Sequence, residues 1–284
     1  IRYGICFGRG GVNMKSYAIY DEELNRTSAI GYLFYYEKGE SFIIELCHDL
    51  DEWDAPLLFQ GLVRKGIYTV SRDISLMWVR ERVIPSGRQN IGSILKKYKL
   101  KEYSEMALLS LSKGRCSQDG CYITEVSEEE IPEYIKERIR KNVWECFPTE
   151  GKQLICMFHD NTVRMVDIEK LVEKNKDIAH VLKNRELLDS VKVGIGGYSV
   201  SFNESIEIPT SDLRATGLLL PLTANDFYGF VRRNVVDATR ACDILQCSRQ
   251  NLSYLVKEGK IFPIIHGTKE NLYIKGDLER VMNE

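Results

Sequence analysis

Apolar and polar positions alternate in short runs near the start of the chain: 2–7, 16–20, 29–36 and 41–46 are rich in Ile, Tyr and Phe and are separated by Gly- or Asn-bearing breaks. A period of two with β-favouring side chains predicts strands, and the breaks predict the turns of a small antiparallel sheet. The period then lengthens. Leu57, Leu58, Leu62 and Val63 within 55–65, Ile91, Ile94 and Leu95 within 90–98, and Met106, Leu108, Leu109 and Leu111 within 104–112 fall at helical spacing. The last two segments are expected to form a helical pair. Ser127, followed by Glu128, Glu129, Glu130 and Pro132, reads as a helix start. Acidic groups in a first turn oppose the positive end of the helix dipole, and proline there lacks only an N–H that would be unpaired anyway. This helix is expected to run to about Cys146, with Ile135, Ile139 and Val143 facing a core.

Gln153 to His159 and Thr162 to Val166 alternate on either side of Asp160-Asn161, a pair that tolerates a left-handed turn, so a hairpin is predicted. Asp167 is placed to cap a short helix through Leu171 and Val172. Residues 182–188 continue the helical pattern, and Val191 to Gly194 and Tyr198 to Phe202 read as two further strands. The glycines of Gly194-Ile-Gly196-Gly197 lack the following helix of a phosphate-binding loop, which favours a tight turn between those strands. Gly217-Leu-Leu-Leu-Pro-Leu-Thr-Ala-Asn225 carries no charge, and is expected to be a connection docked on apolar surface.

The most specific pattern lies between 236 and 282. Ala238, Ala241, Ile244 and Leu245 share one helical face, and after a break at Cys247-Ser248 a second face appears as Leu252, Leu255 and Val256. Ser248 is a natural N-cap and Gly259 a natural stop, so the second helix would expose Arg249, Gln250, Asn251, Ser253, Tyr254 and Lys257. Arg, Gln and Asn carry the forked donors and acceptors that match base edges in the major groove. Lys260 to Lys275 reads as a hairpin, and 276–281 as a closing helix capped by Asp277.

Taken together, the small-residue first helix, the Ser-Arg start of the second, the Lys-Glu-Gly-Lys turn and the final Asp-Leu helix resemble the winged helix-turn-helix domains of the MerR and excisionase families. That resemblance covers about one sixth of the chain and implies double-stranded DNA as partner. Ser248, Arg249, Gln250, Asn251, Ser253 and Tyr254 would face bases or adjacent phosphates. Thr239 and Arg240 would face the backbone, and Lys257, Lys260, Lys269 and Asn271 the flanking phosphates. The wing departs from those families in lacking their arginines: it offers His266, Thr268, Lys269 and Asn271. Residues 153–215, with Asp160-Asn161, Asp167-Ile168, Leu187-Leu188-Asp189, Ile206-Glu-Ile208 and Asp212-Leu213, resemble a small bacterial family of unknown function often found beside helix-turn-helix modules. Asn161 stands where that family prefers Gly. Trp78-Val-Arg-Glu-Arg-Val-Ile-Pro85 with Arg88 and the Leu95 helix resembles the N-terminal region of HipA-like proteins, a likeness that implies no catalytic residue.

Charge adds a modest tilt. Val231 to Glu284 holds nine Lys or Arg against seven Asp or Glu, whereas 1–150 and 151–230 each carry two more acids than bases. Fewer neutralised phosphates mean weaker contact, so one module alone would bind DNA weakly. Eight cysteines without Cys-x-x-Cys spacing read as cytosolic thiols. Cys116 and Cys121 around Asp119 could serve a metal only with ligands from elsewhere, and His48-Asp49-Leu-Asp51-Glu52-Trp-Asp54 reads as a hydrated acidic loop before it reads as a metal site. The four histidines form no triad-like arrangement. No apolar run is long enough to span a membrane, and the N-terminus reads as a strand rather than a signal peptide.

The expected architecture is α+β in three parts. These are an N-terminal antiparallel sheet with helices over 1–150, a small central α+β domain over 151–222, and a C-terminal winged helix-turn-helix over 223–284. The expected function is sequence-specific DNA binding by a cytoplasmic bacterial or mobile-element transcriptional regulator, without cofactor, catalysis or membrane contact. It would act as a homodimer joined through the first 230 residues. The alternative is a protein-interaction adaptor of a mobile-element, toxin-antitoxin or phage-defence system, with the same fold binding an unknown protein partner.

Overall fold

The computed structural model describes residues 14–24, 26–267 and 270–283. The strand expected over 2–7 lies outside the described residues. The fold is α+β, and the chain divides into two compact units, one of Ile1–Trp144 with Ser190–Thr210 and one of Glu145–Asp189 with Ser211–Glu284.

The first unit opens with β1 (Met14–Asp21), β2 (Gly31–Tyr36) and β3 (Ser41–Leu46), followed by α1 (Leu57–Arg64), β4 (Thr69–Val70), α2 (Arg72–Arg80), α3 (Ile91–Lys97), α4 (Glu105–Ser112) and β5 (Cys121–Val126). The five strands form an antiparallel sheet in the order β4-β3-β2-β1-β5. Both faces are covered. Ile19, Leu33, Phe42 and Ile44 pack against Phe59, Val63, Trp78, Val79, Met106 and Leu109 from α1, α2 and α4. Ala18, Tyr32, Phe34, Tyr36 and Ile43 meet Ile131, Ile135 and Ile139 on the other side. Double burial explains why β2 and β3 read as nearly continuous apolar runs.

The helix α2 has no counterpart among the elements expected from the sequence. Ser71 caps it by accepting the Ile74 N–H, and Trp78 is fully buried within it. The helix expected over 127–146 is shorter. A 3-10 turn over Glu128–Glu130, closed by the Ser127 N–H donating to Glu130 at 2.7 Å, precedes α5 (Glu133–Arg140), and β6 (Val143–Pro148) follows. Asn142 ends the helix through an N–H bond to Ile139 O, and its amide donates to Gly196 O at 3.0 Å. Val-Trp-Glu-Cys-Phe then favours the strand, where Val143 remains buried.

The second unit begins within β6 and continues through β7 (Gln153–Phe158) and β8 (Thr162–Asp167), joined by the expected turn with Asn161 at φ 66°. Asp167 accepts the Glu169 N–H, as the sequence implies, and α6 (Ile178–Val181) and α7 (Arg185–Asp189) follow. The chain then returns to the first unit with β9 (Lys192–Val193), β10 (Ser199–Phe202) and β11 (Ile206–Pro209), a three-stranded antiparallel sheet. The hairpin expected at Gly196-Gly197 is therefore present but packs with the N-terminal unit rather than in a central domain. Gly197 sits at φ 70°, where an added Cβ would stand 1.9 Å from Val143 O.

After α8 (Thr210–Thr216), the uncharged segment expected to be a linker is β12 (Leu218–Thr223), hydrogen-bonded to β8 with a register shift between Leu219 and Thr223. An open edge of β8 supplied partners that a sequence window does not display. The resulting sheet runs β12-β8-β7-β6, and α9 (Ala224–Asn234) packs on Met157 and Val163 through Ala224, Phe227 and Tyr228. Arg164 donates to Arg214 O and Gly217 O, fixing the end of α8 beside β8.

Among the described residues, one carboxylate of the first unit is fully buried. Glu45 on β3 is fully buried, accepts the Thr69 hydroxyl at 2.9 and 3.1 Å and pairs with Arg138 of α5 at 2.7 Å, with Tyr198 and Tyr36 alongside. Burial outweighs Arg138 and pushes the carboxyl up to about 7. The folded state therefore holds a proton that the unfolded chain releases at its ordinary value of 4.5. Stability should then fall as pH rises from about 4.5 to 7, by on the order of 3 kcal/mol, and level off above. Thermal melts across this window should show the decline in the native chain and a flatter profile in Glu45→Gln; parallel profiles would refute the assignment.

Candidate nucleic-acid interface

The C-terminal elements are built by successive local caps. β13 (Val235–Asp237) ends in Asp237, whose carboxylate accepts the Arg240 N–H at 2.7 Å and starts α10 (Ala238–Leu245). Gln246 takes a left-handed conformation at φ 49°, the Cys247 N–H returns to Cys242 O, and Ser248 Oγ accepts the Asn251 N–H at 3.2 Å to start α11 (Arg249–Lys257). Gly259 at φ 69° ends it. The two helices are thus joined by three residues, Gln246, Cys247 and Ser248.

The second apolar run of the expected wing is β14 (Leu272–Ile274), which meets the first through a bridge between Ile265 and Leu272. It also pairs with β13, a partner absent from the sequence reading, through Val236↔Tyr273 and Asp237↔Leu272. The closing helix α12 is Lys275–Asn283, so Asp277 lies inside its first turn rather than at the cap and instead pairs with Arg280. Val236, Ala241, Cys242, Leu252, Ile261, Tyr273 and Leu278 form the shared core. Burial and the neighbouring Cys247 push the Cys242 thiol up.

Packing through Leu252 leaves Arg249, Gln250, Asn251, Ser253, Tyr254 and Lys257 exposed on α11, as the spacing implies. Thr239 and Arg240 are exposed on the first turn of α10, and Lys260 is exposed just after Gly259. Asn271 is half-buried beside β14, and Lys269 lies outside the described residues. The structure joins two of these residues directly: Arg249 Nη2 donates to Thr239 Oγ1 at 2.7 Å, linking the starts of both helices. Lys257 and Lys260 belong to the opposite end of α11, about 12 Å along its axis.

Two further cations, Arg232 and Arg233, are exposed in the last turn of α9 just before β13. Basic residues there also complement a helix dipole, which gave them no distinctive signal. Among the described residues Arg232, Arg233, Arg240, Arg249, Lys257 and Lys260 make no ion pair, whereas Lys275 and Arg280 are engaged by Glu279 and Asp277. The small net charge of the module therefore understates the cations it presents.

No protein-family model, curated protein or solved structure matches the chain. Elsewhere, the other candidate chemistries have acquired local partners. Asp119 accepts the Cys116 thiol and the Cys121 N–H and pairs with buried Arg82, so a side-chain cation already stands at the carboxylate considered for a metal. In the acidic loop, Asp51 accepts the Trp53 N–H, while Asp49 and Glu52 pair with Arg26 and Arg64. His48 packs edge-on against Tyr134, and burial pushes the His159 imidazole down. Among the described residues no three His, Cys, Asp or Glu side chains are grouped to hold a metal, and no helix is long and apolar enough to cross a membrane.

The Ser248 cap gives a direct test of how α11 is held. Ser248→Ala should lower the stability of the C-terminal elements by about 1 kcal/mol, and Ser248→Gly by a few tenths. Hydrogen exchange of the α11 amides in the full chain measures this. Equal protection in native protein and Ser248→Ala would mean that packing alone positions the helix.

Proposed function

We propose that this protein binds double-stranded DNA through a winged helix-turn-helix in its C-terminal region, with α11 as the reading helix. The observation that carries this reading is the exposed Arg249-Gln250-Asn251 run at the capped start of α11, its first member held by Thr239. Helix-turn-helix proteins place the N-terminal half of their second helix against base edges. Asn251 would address adenine and Arg249 guanine, for which their forked groups are matched, while Arg240, Lys257 and Lys260 would meet phosphates.

A homodimer would supply a second half-site and the affinity that one slightly basic module lacks. Such a protein is a transcriptional regulator. A second reading, an adaptor that uses the same elements to hold a protein, draws on the exposed apolar side chains Leu218, Leu219 and Leu222 on β12 and Phe230 and Val231 on α9. Exposed apolar side chains suit a protein surface better than a polyanion.

Selection of genomic fragments by the full-length protein, followed by anisotropy titrations, tests the proposal. Arg249→Ala and Asn251→Ala should each weaken binding to the selected site by about 1–3 kcal/mol, with a much smaller effect on random duplex. Lys260→Ala should weaken both alike and reduce the salt slope by about one. Equal losses on both duplexes for Arg249→Ala and Asn251→Ala would refute base readout. No binding to any duplex at low salt would leave the adaptor reading in its place.

A further inference from the structure

In the second unit, two thiols outside the candidate interface face each other across neighbouring strands. Cys146 on β6 and Cys156 on β7 have their sulfurs 3.4 Å apart, both buried. The Thr149 N–H donates to Gln153 O, which sets the register, and counting back along the two antiparallel strands brings Cys146 opposite Cys156. Alternation from that hydrogen-bonded pair makes the cysteines a non-hydrogen-bonded pair, the arrangement in which side chains approach most closely. A disulfide needs its sulfurs at about 2.05 Å, a closure of roughly 1.4 Å, and the Cα separation usual for a non-hydrogen-bonded pair, about 4.5 Å, lies within the range that disulfides span. β6 is an edge strand, with Trp144, Glu145 and Phe147 exposed around the buried cysteine.

We propose that Cys146 and Cys156 form a redox-modifiable pair, which a hydroperoxide converts into a disulfide that staples edge strand β6 to β7. One thiol loses its proton and the thiolate attacks a peroxide oxygen; the O–O bond breaks, hydroxide leaves and takes up that proton as water, and a sulfenic acid remains. The second sulfur attacks that sulfur, the S–S bond forms, the S–O bond breaks, and hydroxide leaves with the second thiol's proton as water. Two thiols and one hydrogen peroxide thus become one disulfide and two waters. The hydrogen bond with Cys156 and burial both hold the proton on Cys146, so the reduced pair is slow to react. Opening of the edge strand sets its rate, and half-buried Cys116 should be oxidised before it.

The test treats the full chain with hydrogen peroxide under native conditions, blocks remaining thiols after unfolding, and maps unreduced peptides by mass spectrometry. The expected result is a linked peptide pair containing Cys146 and Cys156. It should appear after Cys116 has been oxidised, be released by dithiothreitol and be missing from Cys156→Ser. The proposal is overturned if both residues are still alkylated once Cys116 is fully oxidised, or if either is found joined to a different cysteine. The map of the native chain decides between these outcomes even if the variant does not fold.

Discussion

How α11 is presented to a partner depends on Asp237, because that residue closes a strand and opens a helix at once. Its backbone pairs with Leu272 on β14, and its side chain accepts the Arg240 N–H that begins α10. The direction of α10 is thereby fixed to the two-stranded sheet, and the left-handed Gln246 with the Ser248 cap carries that direction into α11. The hydrogen bond from Arg249 to Thr239 then returns from the second helix to the first. An exposed arginine held at its tip loses less freedom on binding than one that swings in solvent.

The first unit and the C-terminal stretch from Arg232 to Lys260 dispose of several of their cations differently, and net charge hides this. In the first, Arg26, Arg64, Arg80, Arg115, Arg138 and Arg140 each pair with a carboxylate. In the C-terminal elements the cations from Arg232 to Lys260 make no such pairs among the described residues. A field that attracts a polyanion depends on where uncompensated charges sit rather than on their total. The same accounting explains why Glu45 stands out: its single cationic partner does not offset full burial.

What was legible in the sequence was written in neighbouring residues. Ser248 as a cap, Gly259 as a stop, Asp160-Asn161 as a turn and Asp167 as a helix start each act within a few positions, and all four are found. The α+β class was legible from the two periodicities. What was not legible depended on distant partners: β12 needs the edge of β8, β13 needs β14, and the hairpin at Gly196-Gly197, legible as a turn, packs with a unit whose other residues precede it by an insertion. The end of α5 is an intermediate case, since Lys141-Asn142 gives little local signal and the strand that follows begins with a residue that also suited the helical face. Within the candidate interface, side-chain exposure followed from spacing, but the contact between Arg249 and Thr239, ten residues apart, did not.

The return of Ser190–Thr210 to the first unit has a consequence during synthesis. A domain assembled from one continuous stretch can close as soon as it leaves the ribosome, and N-terminal domains generally fold first. Here the first unit lacks β9 to β11, and with them Tyr198 beside Glu45, until the intervening residues 145–189 have also emerged. The nascent chain must therefore leave the part of the N-terminal sheet's face that Ile195 and Tyr198 cover unsatisfied for the time taken to translate the insertion. Completion of the first unit is thus coupled to elongation through part of the second, while the candidate DNA-reading elements follow both stretches of the first unit along the chain.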